Sequence, residues 1–282
     1  MKIPNFLNAL EVILKDNSAK KKEQYKDYPY FHNPSSATLR KPDGSLVGAC
    51  LRQLWYRATK TPESEPINIT SSLQALFGDC IHKGLLDLYG QSKDFRIMKE
   101  SGGKFVIDTL TKEVSYRIDG IVSQEEDMGG LELKTTQGRA LTGPGWGIRD
   151  KGPKEDHLLQ VICYMKAQPS LKWFALVYVA RDDAYRMQFN ITRKDDEFFL
   201  DGVKIKDLNF TGIEARWKEL ESHIKNNTVP PRDYKVFLKP DGTIAKTKTV
   251  GKLTKKSDFR CLYCAYSSLC WSQSDASKDA YK

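Results

Sequence analysis

Two groups of residues in this chain have types and spacings suited to chemistry, and the first is acidic. Asp119 in YRIDGIV and Glu132 with Lys134 in LELKTT fall on two strand-like segments joined by a turn of roughly hairpin size. Side chains alternate along a strand, so Glu132 and Lys134 share one face while Leu131, Leu133 and Thr135 take the other. Pairing the two strands would bring Asp119 close to Glu132. Two carboxylates held together repel unless a hard cation lies between them, and oxygen ligands of that charge suit Mg2+ or Mn2+. A Glu-x-Lys by itself is common on exposed strands, so its company matters. His82 stands upstream on a helix in GDCIH, and Gln160 and Tyr164, four apart, project from one face of a later helix.

The second group is the cysteines. Cys261, Cys264 and Cys270 place three thiols in ten residues, one short of a tetrahedral site. Cys50 is the best fourth ligand, because it stands on a polar, basic helix (CLRQLWY), whereas Cys80 and Cys163 sit among apolar residues where a free thiol packs as a small hydrophobe. In a reducing compartment six cysteines read as metal ligands or buried thiols rather than disulfides. Structural zinc usually pairs two short knuckles, and one ligand some two hundred residues from the others is atypical for it.

The elements that must position these groups follow from periodicity. Helical spacing is expected over 49–60, with Leu51, Leu54, Trp55 and Ala58 apolar, and over 71–89, where Leu73, Leu76, Phe77, Cys80, Ile81, Leu85 and Leu88 recur every three or four residues. The stretch 90–103 breaks the pattern. Strands are expected over 104–110, 113–123 and 131–135, the last two joined by a polar turn ending in Gly129-Gly130. The segment 33–44 and the Gly- and Pro-rich 137–154 read as loops, the latter long enough to be functional. A helix over 154–167, strands over 172–181 and 184–192 with an Asp182-Asp183 turn, and a helix over 194–226 complete the core. Residues 1–30 read as a helix followed by a lysine-rich polar stretch. This order suits an α/β core with a mixed, partly antiparallel sheet flanked by helices.

A chain of 282 residues with 40% hydrophobic content can bury an ordinary core. Its 45 Lys+Arg against 36 Asp+Glu, a formal charge of +9, favour a polyanionic partner. The N-terminus has no credible secretory signal, and nowhere are there about 18 consecutive apolar residues, so no membrane span and a cytoplasmic location are expected. There is no Walker-type phosphate loop, which excludes a helicase motor.

Taken jointly, Gly78-x3-His82, Asp119-Gly120, Glu132-Leu133-Lys134 and Gln160-x3-Tyr164 resemble the PD-(D/E)XK nuclease superfamily, and within it the RecB-like branch, in order and spacing over most of the chain. The cysteine arrangement resembles that of the CRISPR-associated RecB-like exonucleases and the AddB nuclease domain, in which one N-terminal and three C-terminal cysteines hold an iron-sulfur cluster. The resemblance implies a restriction-endonuclease-like core. It implies a metal bound by His82, Asp119, Glu132 and the Leu133 carbonyl, with Lys134 orienting or helping to deprotonate the attacking water and Gln160 and Tyr164 positioning strand and lysine. It implies a cluster, 4Fe-4S in type, on Cys50, Cys261, Cys264 and Cys270.

The organisation expected is a flank over 1–48, a nuclease core over 49–230 that includes the Cys50 helix, and an iron-sulfur segment over 231–282 packed on the core as one unit. The function expected is a Mg2+- or Mn2+-dependent exonuclease on single-stranded DNA, 5′-to-3′ by the resemblance, of the CRISPR-associated or a viral type. Its protein partners would be CRISPR adaptation or recombination proteins. A non-catalytic nucleic-acid-binding subunit and a structure-selective DNA endonuclease are the alternatives. Arg52, Arg57, Arg139, Arg149 and Lys151 could meet phosphates, and Trp146 could stack on a base.

Overall fold

β-branched and aromatic residues at alternating positions build the centre of the chain into a sheet. A computed structural model describes residues 12–17, 20, 23, 29–65, 69–124, 127–250, 253–273 and 280–281. Most of the helix and lysine-rich stretch expected over 1–30 lies outside the described residues, although 12–17 is helical. The chain divides into two units, one drawing on Phe31–Ala49 and Leu76–Ser222, the other on Cys50–Ala75 and His223–Lys282.

In the first unit a small hairpin of β1 (Thr38–Arg40) and β2 (Leu46–Gly48) interrupts the loop expected over 33–44. The large sheet then takes β3 (Arg96–Phe105), β4 (Val114–Gln124), β5 (Asp127–Thr136), β6 (Trp173–Ala180), β7 (Arg186–Lys194), β8 (Glu197–Leu200) and β9 (Val203–Lys204) in chain order. Every neighbouring pair is antiparallel except β5 and β6, which run parallel. A parallel pair needs a crossover, and its helix, Glu155–Ala167, lies on one sheet face. There Leu159, Ile162 and Cys163 are buried in one cluster with Phe174, Leu176 and Tyr178 of β6. Each fully buried Leu or Ile contributes roughly 1.5–3 kcal/mol. The opposite face packs Leu131, Leu133, Ala175 and Val177 against Leu86 of the Ile69–Tyr89 helix. The architecture is mixed α/β, a large mixed sheet flanked by helices.

Several local expectations are corrected. β3 runs straight through Gly102-Gly103, because the ladder to β4 carries it, pairing Gly102 with Arg117 and Gly103 with Tyr116. Gly129 and Gly130 lie inside β5 rather than in the turn before it. A Cβ on Gly129 would stand 2.2 Å from the Trp173 ring and one on Gly130 2.1 Å from the Phe174 ring, so these glycines make room for two aromatic neighbours on β6. The helix expected over 194–226 starts only at Phe210, because Asp201 and Gly202 both take positive φ and turn 197–204 into a hairpin. The apolar stripe of Ile69–Tyr89 is only partly used. Its last turns meet the sheet through Leu85, Leu86 and Tyr89, while Leu76, Phe77 and Leu88 stay exposed. Cys80, expected to be packed, is exposed, whereas Cys163 is buried as expected.

The second unit holds the Leu51–Ala58 helix, the hairpins β10–β11 (Phe237–Leu238, Ile244–Ala245) and β12–β13 (Thr247–Val250, Leu253–Lys256), and the short helices Phe259–Leu262 and Ser267–Trp271. Among the described residues no helix is long and apolar enough to cross a membrane.

Candidate active site and cysteine cavity

The acidic residues converge in the sheet unit. The β4–β5 register runs from Gln124↔Asp127 to Gly120↔Leu131 and stops there, so the strands part at Asp119. The Asp119 carboxylate replaces the lost ladder bond, accepting the Leu133 backbone N–H at 2.8 Å through Oδ2. The same oxygen lies 3.9 Å from His82 Nδ1, near but beyond hydrogen-bond range. Gly78, one turn earlier on the helix, lets it pass close to the sheet, since a Cβ there would sit 3.1 Å from Thr135 Oγ1.

Glu132 is 3% exposed. Its Oε1 accepts from Lys134 Nζ at 2.6 Å and from Gln160 Nε2 at 2.9 Å. Among the described residues its Oε2 is buried with no partner at good hydrogen-bond geometry, although the nearby Tyr164 hydroxyl favours the charged form of the carboxylate. Burial, the largest cause, pushes the Glu132 carboxyl up to about 7; Asp119 adds to the rise, and Lys134 opposes both. Gln160 ties the site together, its Oε1 accepting from Lys134 Nζ at 2.8 Å and its Nε2 also donating to Tyr164 Oη at 2.6 Å. Tyr164 is itself buried and stacks on Phe174 at 5.7 Å, and burial holds its phenol well above the ordinary value.

Thus Glu132, Lys134, Gln160 and Tyr164 form one hydrogen-bonded network, Asp119 is tied beside it through the Leu133 N–H, and His82 lies at its edge. A buried carboxylate oxygen left without a partner is costly, and the usual remedies are a proton or a cation. Two carboxylates and an imidazole make a donor set that fits a divalent ion such as Mn2+. Among the described residues no three His, Cys, Asp or Glu side chains already stand close enough together to hold a metal. Sequence reasoning missed His157 and Tyr178 beside this site. His157 lies three residues before Gln160, a spacing visible in the sequence, but Tyr178 meets Lys134 only through the β5–β6 register.

The surface residues divide. Arg57, Arg139, Arg149 and Lys151 are exposed, and Trp146 is 52% exposed with the Arg139 guanidinium 5.7 Å from its ring centroid. The segment carrying most of them is not the irregular loop expected, because it folds into two short helices, Gly138–Thr142 and Ile148–Lys151. Arg52, expected to meet DNA, is buried. Its Nε donates to the Pro230 carbonyl at 2.6 Å and its Nη1 to Gln273 Oε1 at 2.9 Å, so its role is structural.

In the other unit Cys50, Cys261, Cys264 and Cys270 line one cavity together with Tyr56, Arg232, Tyr234, Arg260 and Trp271. Cys50 occupies the N-cap of Leu51–Ala58 without capping it; Asp233 Oδ2 takes the Leu51 N–H at 2.6 Å instead. Burial pushes the Cys50 thiol up to about 11 and also raises Cys261 and Cys264, with Cys50 and Cys270 adding to the rise at Cys261. Thiolates are the ligand type an iron-sulfur cluster takes, and these four line the same cavity, although among the described residues no three of them already stand close enough together to hold a metal.

No protein family matches the chain, and no curated protein matches it. A solved structure described as "Crystal structure of SSO0001" is similar at a TM-score of 0.50 and 16% identity, covering 95% of this chain and 96% of that one. The likeness is one of fold.

Proposed function

We propose that this chain is a metal-dependent nuclease of the PD-(D/E)XK superfamily, in its RecB-like iron-sulfur branch, hydrolysing single-stranded DNA. The observation that carries the reading is Glu132, a buried carboxylate with one oxygen on Lys134 and Gln160 and the other without a well-placed partner among the described residues, in a site shared with Asp119. Mg2+ or Mn2+ held by His82, Asp119, Glu132 and the Leu133 carbonyl would supply Lewis acidity and a more acidic water.

The chain's own residues do the remainder. Two of the three ammonium protons of Lys134 go to Glu132 Oε1 and Gln160 Oε1, which leaves the third to orient the attacking water. Gln160, braced by Tyr164, keeps the ammonium from swinging away. Arg139, Arg149, Lys151 and Trp146 provide exposed phosphate and stacking contacts for a strand. Cys50, Cys261, Cys264 and Cys270 hold a 4Fe-4S cluster that ties the first and last parts of their unit together. Movement from the 5′ end, and service beside CRISPR adaptation or recombination proteins in a CRISPR-associated or viral setting, rest on the family resemblance.

The test is purified protein with end-labelled linear and circular single-stranded DNA, with and without Mn2+. Linear strands should shorten progressively only with the metal, while circles of equal length survive. Circles cut as fast as linear strands would make the protein an endonuclease, and binding without cleavage would make it a non-catalytic subunit.

A further inference from the structure

Tyr178 lies opposite Lys134 in the β5–β6 register and is 1% exposed. Its hydroxyl accepts the Lys154 backbone N–H at 3.2 Å and lies 2.7 Å from His157 Nδ1. The backbone N–H can only donate, so the hydroxyl's single proton is used in a hydrogen bond only if it goes to Nδ1. An imidazole that accepts at Nδ1 and stays neutral carries its own proton at Nε2. The ring is held neutral, since burial first and the Lys134 charge second lower its pKa below the ordinary value. Among the described residues Nε2 has no hydrogen-bond partner, and His157 is only half-buried. His157 precedes Gln160 by three residues, which places the two on one face of the Glu155–Ala167 helix.

We propose that His157 is a further substrate-binding residue, donating Nε2–H to a non-bridging phosphate oxygen of the DNA strand held beside Lys134. The proposal rests on the nuclease reading and deepens it. A second cation at this place would repel Lys134, whereas a neutral N–H adds a phosphate donor without that repulsion. Tyr178 acts as the positioning residue, because its hydroxyl selects the tautomer and fixes the ring plane.

The experiment combines imidazole 15N spectra with two variants. The chain has four histidines, and the His157 signals are assigned as those missing in His157→Gln. In wild-type protein His157 should be Nε2-protonated, and its Nε2 signal should move when an oligothymidylate is added with Ca2+ in place of Mn2+. His157→Gln, whose amide nitrogen can stand where Nε2 stands, should keep cleavage within about 3-fold of wild type. His157→Leu should lose about 10- to 100-fold in kcat/KM, as expected for a lost hydrogen bond to a charged group, with unchanged Mn2+ affinity. An Nδ1-protonated ring, no shift with oligonucleotide, or equal losses in both variants would overturn the proposal while leaving wild-type cleavage, and so the nuclease reading, intact. Wild-type protein that binds the strand through His157 but never cleaves it would instead sink the nuclease reading and keep the contact.

Discussion

The Lys134 ammonium sits 2.6 Å from Glu132 Oε1, while Glu132 Oε2, on the same carboxylate, is buried without a well-placed partner among the described residues. The lysine satisfies half of a buried acid and leaves the other half waiting for a proton or a cation. Site and stability are therefore linked through one residue.

In chelator-treated protein this linkage has a definite sign. The folded Glu132 carboxyl, at about 7 against an ordinary 4.5, binds its proton more tightly than the unfolded chain does. Its stabilising contribution is complete below pH 4.5 and is lost as pH rises to about 7, a change on the order of 3 kcal/mol. Urea denaturation at pH 5 and pH 8 should show that loss in wild-type protein and much less of it in Glu132→Gln. The variant should be inactive yet the more stable of the two at pH 8. Parallel pH dependence in the two proteins would show that Glu132 is not the group responsible.

Replacing Lys134 or Asp119 with Ala should reduce cleavage by about 10²–10⁴-fold, the range for losing a group that handles protons or positions water in the transition state. Both variants should keep cooperative unfolding. Asp119→Ala also strips the Leu133 N–H of its acceptor, so it should be the less stable of the pair. Activity near wild type in both would remove the assignment.

Anaerobically purified protein should be brown and contain iron and acid-labile sulfide. Cys261→Ala should be colourless and less stable by a few kcal/mol, because bound cofactor contributes to the folding of the unit that holds it. Stoichiometric zinc without iron in protein never exposed to air would decide for a zinc site instead.

Arg52 and the exposed cations should separate cleanly. Arg149→Ala and Lys151→Ala should each weaken DNA binding uniformly across sequences and reduce the slope of log K against log salt by about 1 at most, without changing stability. Arg52→Ala should cost about 2 kcal/mol of stability, since it orphans the acceptors Pro230 O and Gln273 Oε1, and should leave that slope unchanged. A salt slope altered by Arg52→Ala in folded protein would return Arg52 to the binding surface.

What the sequence determined by itself was local in origin. Strand alternation put Glu132 and Lys134 on one face, helical spacing paired Gln160 with Tyr164, and three cysteines within ten residues stood out as a local group, whereas the cavity they line with Cys50 is a product of the fold. Most strand and helix centres followed from the same short-range periodicities. Tertiary structure decided whatever depends on partners far along the chain. Gly129 and Gly130 looked like a turn until the Trp173 and Phe174 rings of β6 occupied the space their missing side chains leave. Arg52, basic on a helix with other basic residues, proved to be a buried donor because Pro230 and Gln273 fold back onto it. The apolar stripe of Ile69–Tyr89 was legible, but how much of it would be covered was not. His157 is plain in the sequence, but what gives it a tautomer and a place beside Lys134 is a tyrosine on β6, the strand paired with that of Lys134. Periodicity tells which way a side chain points from its own backbone, whereas only the assembled sheet and crossover helix determine what it meets there.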